Sequence, residues 1–278
     1  MITLKDIGIN ETNKTYIIAE IGINHGGSLD KAKALIESAS KTGCDAVKFQ
    51  TYLTEKRAPK NKPEIFKILK DCELDFENFS DLKIYSESLG LDFFSTPFDI
   101  ESVDYLESIN TKLYKVASFD VENFLLLEYL AKLKKPIIMS CGMSSLEEIK
   151  NAVQKIKSYN EKIAILHCIS SYPTNENEAN LNTITTLCKN FEDCVVGQSD
   201  HTNGIKVPTY AVALGAKIIE KHFKIDERME CIDAPVSITE EQMRTMVADI
   251  RNLEKIMGES FLGISENQKE TTVFRRKS

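Results

Sequence analysis

Short apolar runs rich in β-formers alternate with longer segments of helical period from one end of this 278-residue chain to the other. Eight such runs stand at YIIAEIG (16–22), AVKFQTY (46–52), DFFSTP (92–97), KLYKVAS (112–118), PIIMSCG (136–142), IAILHCIS (163–170), CVVGQSD (194–200) and KIIEKHF (217–223). The intervening segments read as amphipathic helices. One spans 28–43, with Ser28 as cap and Gly43 as stop; another spans 145–159, with Glu147 and Glu148 in a first turn that suits acids. Eight βα units predict an α/β fold of the (βα)8 TIM-barrel type rather than an open doubly wound sheet. The stretch 53–78 is too long for a simple loop and is expected to carry a short extra helix over the barrel mouth. No linker marks a second domain, so residues 1–278 read as one catalytic barrel with a loosely ordered tail from about 263.

Composition removes several classes of function. A net charge of −7 leaves no basic face for a polyanion, so nucleic acid is not an expected partner. No apolar run approaches the roughly 20 residues of a membrane helix, and the first residues lack the apolar core of a signal peptide. The expectation is a cytoplasmic protein without a membrane partner. Seven cysteines, with no close CxxC pair, argue against a disulfide framework and a thiolate zinc site, and read mostly as small buried apolar residues.

In such a barrel the site is built at the C-terminal ends of the strands. Polar residues gather there: Glu20; Lys48 and Gln50; Ser95 and Thr96; Lys115 and Ser118; Ser140; His167 and Ser170; Ser199 to His201; Glu220 to His222. Any one of them can be a satisfied structural group. Two lysines, several hydroxyls and two histidines at one rim are harder to explain that way, because an unpaired buried lysine costs several kcal/mol. Lys48 and Lys115 with Thr96, Ser118 and Ser140 suit a phosphate and a carboxylate, so a small, multiply anionic ligand is expected. His201 and His222 close adjacent strands and suit a divalent ion such as Mn²⁺, with Mg²⁺ or Co²⁺ as alternatives, better than structural zinc. Glu20 faces the same centre, where it can hold metal-bound water or handle protons, while Asn24 to Gly27 turn the chain away. His25 lies past the strand end and reads equally well as packing in the turn.

The motifs AEIGINHGG, VKFQTY, STPFD, YKVAS, SCGMSS, LHCISSYPT, GQSDHT and EKHF occur in that order, and together they resemble the sialic acid synthase family. The resemblance runs from about residue 14 to about 276. It implies condensation of phosphoenolpyruvate with an N-acetylated hexosamine to give a nine-carbon 2-keto sugar acid. It also implies that Lys48, Thr96, Lys115, Ser118, Ser140, Ser170, Tyr172, Ser199 and His222 hold phosphoenolpyruvate. By the same resemblance, Gln50 and Asp233 lie by the sugar, His201 and His222 bind manganese, and Glu20, Lys115 and His222 form the catalytic set.

Three departures stand out. Ser170 replaces a usual asparagine, and CID replaces GPD before Ala234. Members usually continue past an RRS-like segment, here RRKS at 275–278, into a small antifreeze-protein-like lid that supplies an arginine to the sugar. The sequence at hand stops there. It is read either as a truncation or as a barrel-only member, with an open acceptor site or a lid partner in trans, and Arg275 and Arg276 are candidate substitutes for the lid's charge. The family resemblance implies a homodimer. Two other readings stay open: a related phosphoenolpyruvate condensation on another aldose or aldose phosphate, and a non-catalytic barrel subunit.

Overall fold

Along each core strand, side chains alternate between two faces, and here both faces are buried for different reasons. In the computed structural model, which describes residues 2–12, 14–59 and 61–276, eight strands pair in parallel and in sequence order into a closed barrel. They are β1 (Tyr16–Gly22), β2 (Ala46–Thr51), β3 (Asp92–Pro97), β4 (Tyr114–Val116), β5 (Ile137–Ser140), β6 (Ile163–Cys168), β7 (Val195–Asp200) and β8 (Ile218–His222). The barrel expected from the sequence is the one found, and its strands fall within or at the edges of the eight apolar runs.

One face of each strand packs outward. Ile17, Ala19, Ile21, Val47, Phe49, Phe93, Val116, Met139, Ile165, Val196 and Ile219 join the helix faces in one large core. The other face fills the barrel: Ile18, Ala46, Phe94, Leu113, Ile138, Ala164, Leu166, Val195 and Ile218 form a second cluster. Leu4, Ile7 and Ile9, from the segment before β1, belong to that inner cluster and are almost wholly buried. The segment thus plugs the N-terminal end of the barrel, and no periodicity in the sequence announced it.

The helices start where the sequence provides caps. Ser28 accepts from the Lys31 amide at the head of Leu29–Ser40, and that helix ends at Ser40, short of Gly43. Ser145 and Glu148 form a reciprocal capping box on Leu146–Lys157. The 53–78 stretch holds two short helices rather than one, Thr54–Arg57 and Pro63–Cys72, before the barrel helix Phe76–Ser88. They cover a small separate core of Ile23, Tyr52, Ala58, Leu69 and Cys72, against which Phe98 packs. After the last helix, Glu240–Met257, the chain runs through two 3-10 turns with exposed side chains to Arg276. Among the described residues, no helix is long and apolar enough to cross a membrane.

Candidate active site

The inner face of the barrel turns polar one step up each strand. Two residues beyond the buried apolar side chains Ile18, Ala46, Phe94, Leu113, Ile138, Leu166 and Ile218 come Glu20, Lys48, Thr96, Lys115, Ser140, Cys168 and Glu220. On β7 the apolar step is Gly197, followed by Ser199. A Cβ on Gly197 would lie 2.4 Å from the Ile218 carbonyl oxygen and 2.7 Å from Leu166 Cδ2, so only glycine fits. The result is a cavity of about 260 Å³ at the C-terminal mouth.

Every residue expected to bind substrate or metal lines that cavity: Glu20, Lys48, Gln50, Thr96, Lys115, Ser118, Ser140, Ser170, Tyr172, Ser199, His201, His222 and Asp233. Four rim residues from the sequence reading, Ser95, His167, Asp200 and Lys221, do not. His167 occupies the outward parity on β6, where its Nε2 is 2.7 Å from the Ala179 carbonyl oxygen, and Ser95 lies 2.7 Å from Thr51. Arg275 and Arg276 lie exposed in the tail and are not among the residues of this chain that line the cavity.

The floor is charged and its charges are matched. Lys48 Nζ lies 2.7 Å from Glu20 Oε2 and 3.8 Å from Glu220 Oε2, and donates to Thr96 Oγ1 at 3.1 Å. Lys115 Nζ donates to Ser140 Oγ at 2.7 Å and to the Val116 carbonyl at 2.8 Å, with Glu220 Oε1 at 3.9 Å. The lysines are therefore not unpaired, as the sequence reading took them to be. Glu220, whose strand-end position was noted without a role, balances both, and Ser199 donates to it at 2.8 Å. Burial pushes the Glu20 carboxyl up to about 7, Lys48 opposes the shift, and the neighbouring Glu220 adds to it. For Glu220 burial acts the same way, but Lys115 and Lys48 outweigh it and hold its carboxyl low.

Above the floor, the His201 and His222 rings stand 5.4 Å apart, and Tyr172 lies against His201 with ring centroids 4.1 Å apart. His201 Nδ1 is 2.8 Å from the Ile169 carbonyl oxygen, which sets an Nδ1–H tautomer and leaves Nε2 its lone pair. His222 Nδ1 is buried without a hydrogen-bond partner, and Asp233 Oδ2 is 3.4 Å away. Burial, reinforced by His201 and the nearby lysines, keeps His222 neutral far below the usual imidazole range. Two imidazole nitrogens and a nearby carboxylate suit a divalent ion, whose binding would compete with the proton that, against the effect of burial, Cys168 and the Ile169 carbonyl favour on His201. Among the described residues no three His, Cys, Asp or Glu side chains converge on a closed metal cage, so two imidazoles would leave the remaining positions to water or substrate.

The turn after β1 holds the loop that carries Asp233. Asn24 Nδ2 donates to the Phe223 carbonyl and to Ser237 Oγ, each at 2.9 Å, and its Oδ1 accepts from the Asp233 amide at 2.9 Å. Gly27, at φ +76°, runs so close to the Pro63–Cys72 helix that a Cβ would meet the Asp71 carbonyl oxygen at 2.3 Å. His25 packs in this turn against Phe49, with centroids 6.0 Å apart. Arg57, Phe98, Phe119 and Cys168 also line the cavity and were missed by the sequence reading. Parity along IAILHC would have selected Cys168 over His167; nothing local marks the other three.

Residues 35–261 match the NeuB family model. An uncharacterised protein of Methanocaldococcus jannaschii is 43% identical over 100% of this chain and 82% of its own length. The N,N'-diacetyllegionaminic acid synthase of Campylobacter jejuni is 37% identical over 95% of this chain and 84% of its own. The crystal structure of the sialic acid synthetase of Leptospira borgpetersenii, in complex with citrate, superposes with a TM-score of 0.91 at 38% identity, covering 95% of this chain and 92% of that one. A family match spanning most of the sequence, with relatives aligned along nearly all of it, means that this chain belongs to the NeuB family.

Proposed function

We propose that this chain is a carbon–carbon bond-forming transferase that condenses phosphoenolpyruvate with an N-acylated amino sugar to give a nine-carbon 2-keto-3-deoxy sugar acid. The observation that carries the reading is the two-layer mouth: a floor of two buried lysines and three hydroxyls, and above it two histidines, Gln50 and Asp233. Kinship with diacetyllegionaminic acid and sialic acid synthases supports the substrate class.

In this reading Lys48, Lys115, Thr96, Ser118, Ser140 and Ser199 bind the phosphate and carboxylate of phosphoenolpyruvate. Its C3 attacks the aldehyde carbon of the open-chain sugar, and the new alkoxide takes a proton to become a hydroxyl. Water adds at C2, the C2–O bond to phosphate breaks, and inorganic phosphate leaves. Glu20, with its carboxyl near neutrality, is placed to take a proton from that water or to pass one to the sugar oxygen. The lysines hold the negative groups throughout. His201 and His222 would hold a divalent ion such as Mn²⁺, which supplies Lewis-acid polarisation of the sugar carbonyl. Asp233, positioned through Asn24, and Gln50 would orient the sugar.

The test is phosphate release from phosphoenolpyruvate labelled with ¹⁸O at the bridging oxygen. The expected result is release that requires both an N-acylated hexosamine and a divalent ion, with the label in the phosphate. Label retained in the keto acid would contradict C–O cleavage, and release without an acceptor would contradict condensation.

A further inference from the structure

The helix Thr54–Arg57 ends on a side chain that the site described so far does not use. Arg57 lies over two aromatic rings at once, its guanidinium carbon 4.4 Å from the Tyr52 centroid and 3.9 Å from that of Phe98. Those rings meet edge to face, 6.3 Å apart. Tyr52 is fixed in turn by donating its hydroxyl to the Leu69 carbonyl at 2.9 Å. Stacking on a rigid aromatic pair orients the guanidinium without using its N–H groups. Arg57 lines the catalytic cavity, and its Nη1 is buried with no hydrogen-bond partner among the described residues. A buried donor left unmade costs about 1–3 kcal/mol, so a fixed, unpartnered one at a substrate cavity is most simply a donor awaiting ligand.

Its chemistry narrows the ligand group. Arg57 shares the mouth with the carboxyl groups of Glu20, Glu220 and Asp233; burial pushes the Asp233 carboxyl up, with His201 and Arg57 opposing. The carboxylates can only accept, so they take sugar hydroxyls as donors. The guanidinium can only donate, so it takes an oxygen that only accepts. An open-chain N-acylated amino sugar carries two such oxygens, the aldehyde and the acyl carbonyl. The aldehyde is the group attacked by phosphoenolpyruvate, which leaves the acyl carbonyl for Arg57.

We propose that Arg57 binds the N-acyl carbonyl oxygen of the acceptor sugar and thereby selects acylated amino sugars over plain hexoses. This rests on the condensation proposed above. Arg57 binds substrate and takes no part in bond making.

The test compares the unaltered chain with Arg57→Met and Arg57→Lys, using N-acetylmannosamine and a diacetamido-hexose as acceptors and mannose as competing ligand. A lost charge-assisted hydrogen bond corresponds to roughly a 10–100-fold effect. The KM for the acylated acceptor should rise by about that much in Arg57→Met, and by less in Arg57→Lys, which keeps the charge but not the fork. The KM for phosphoenolpyruvate and the inhibition constant of mannose should stay within about twofold, which also shows that the mouth is still folded. An unchanged acceptor KM would overturn the assignment, as would equal losses for mannose and the acylated sugar, or for phosphoenolpyruvate and the acceptor. An unaltered chain that releases no phosphate with any acylated acceptor would instead overturn the condensation itself, and this assignment with it.

Discussion

Glu20 sits at the junction of the two halves of the site, paired to Lys48 below and accepting from Gln50 beside it at 3.2 Å. Replacing it by glutamine keeps the shape and the hydrogen bond to Lys48 but removes a group that titrates near 7. Glu20→Gln is expected to lower kcat by about 10²–10⁴-fold with the KM for phosphoenolpyruvate little changed, as measured by phosphate release. His25 offers a separate, structural titration. It is 1% exposed, and burial lowers its imidazole to about 4. Between pH 6.5 and 4 the unfolded chain takes up a proton that the folded chain does not, so this residue's contribution is present above 6.5 and lost as pH falls. The loss amounts to about 3 kcal/mol at the low end. Urea unfolding from pH 7 to 4 should show it in the unaltered chain, and the slope should flatten in His25→Asn; an equal slope in both would assign the acid sensitivity elsewhere.

Strands carry most of what could be read from the sequence alone. Eight apolar runs of β-formers announce the barrel because its strands are buried on both faces, and polar residues at their ends announce the mouth. Runs buried on both faces do not show which parity points inward, so Ser95, His167, Asp200 and Lys221 read as rim residues in the sequence although they take the outward parity. Arg57 and the plug were hidden for another reason: each owes its place to contacts distant in sequence, with Phe98 in one case and with Phe94, Leu113 and Ile138 in the other. The plug should matter to stability and little to chemistry. Ile7→Ala, at a fully buried position, is expected to cost about 2–5 kcal/mol in thermal or denaturant unfolding while kcat at a permissive temperature stays near that of the unaltered chain. A second test lies between β7 and β8, where the wholly buried Lys221 donates to Asp200 Oδ2 at 2.7 Å and to the Thr202 carbonyl. Lys221→Met strands a buried carboxylate beside His201 and should destabilise by roughly 3–5 kcal/mol.

For the molecule as a whole, the barrel divides labour along its axis. Its lower half is an apolar core closed by the chain's own first residues, and its upper half is a charged cup in which Lys48, Lys115, Glu20 and Glu220 neutralise one another. Such a cup is prepared for anions yet tolerates their absence, because each lysine already has a carboxylate near it. A phosphoenolpyruvate molecule would compete with Glu20 and Glu220 for the lysines, so both cations should be needed for binding as well as for turnover. A barrel that had become a passive subunit would have no need to retain this arrangement together with two facing imidazoles. The most direct test is the mass of the product formed from phosphoenolpyruvate and an N-acylated hexosamine in the presence of Mn²⁺. The expected result is a nine-carbon keto acid equal to the sum of pyruvate and the sugar, absent with Lys48→Met, Lys115→Met or His222→Ala. A product of any other mass, or the same product undiminished in those variants, would contradict the site described here.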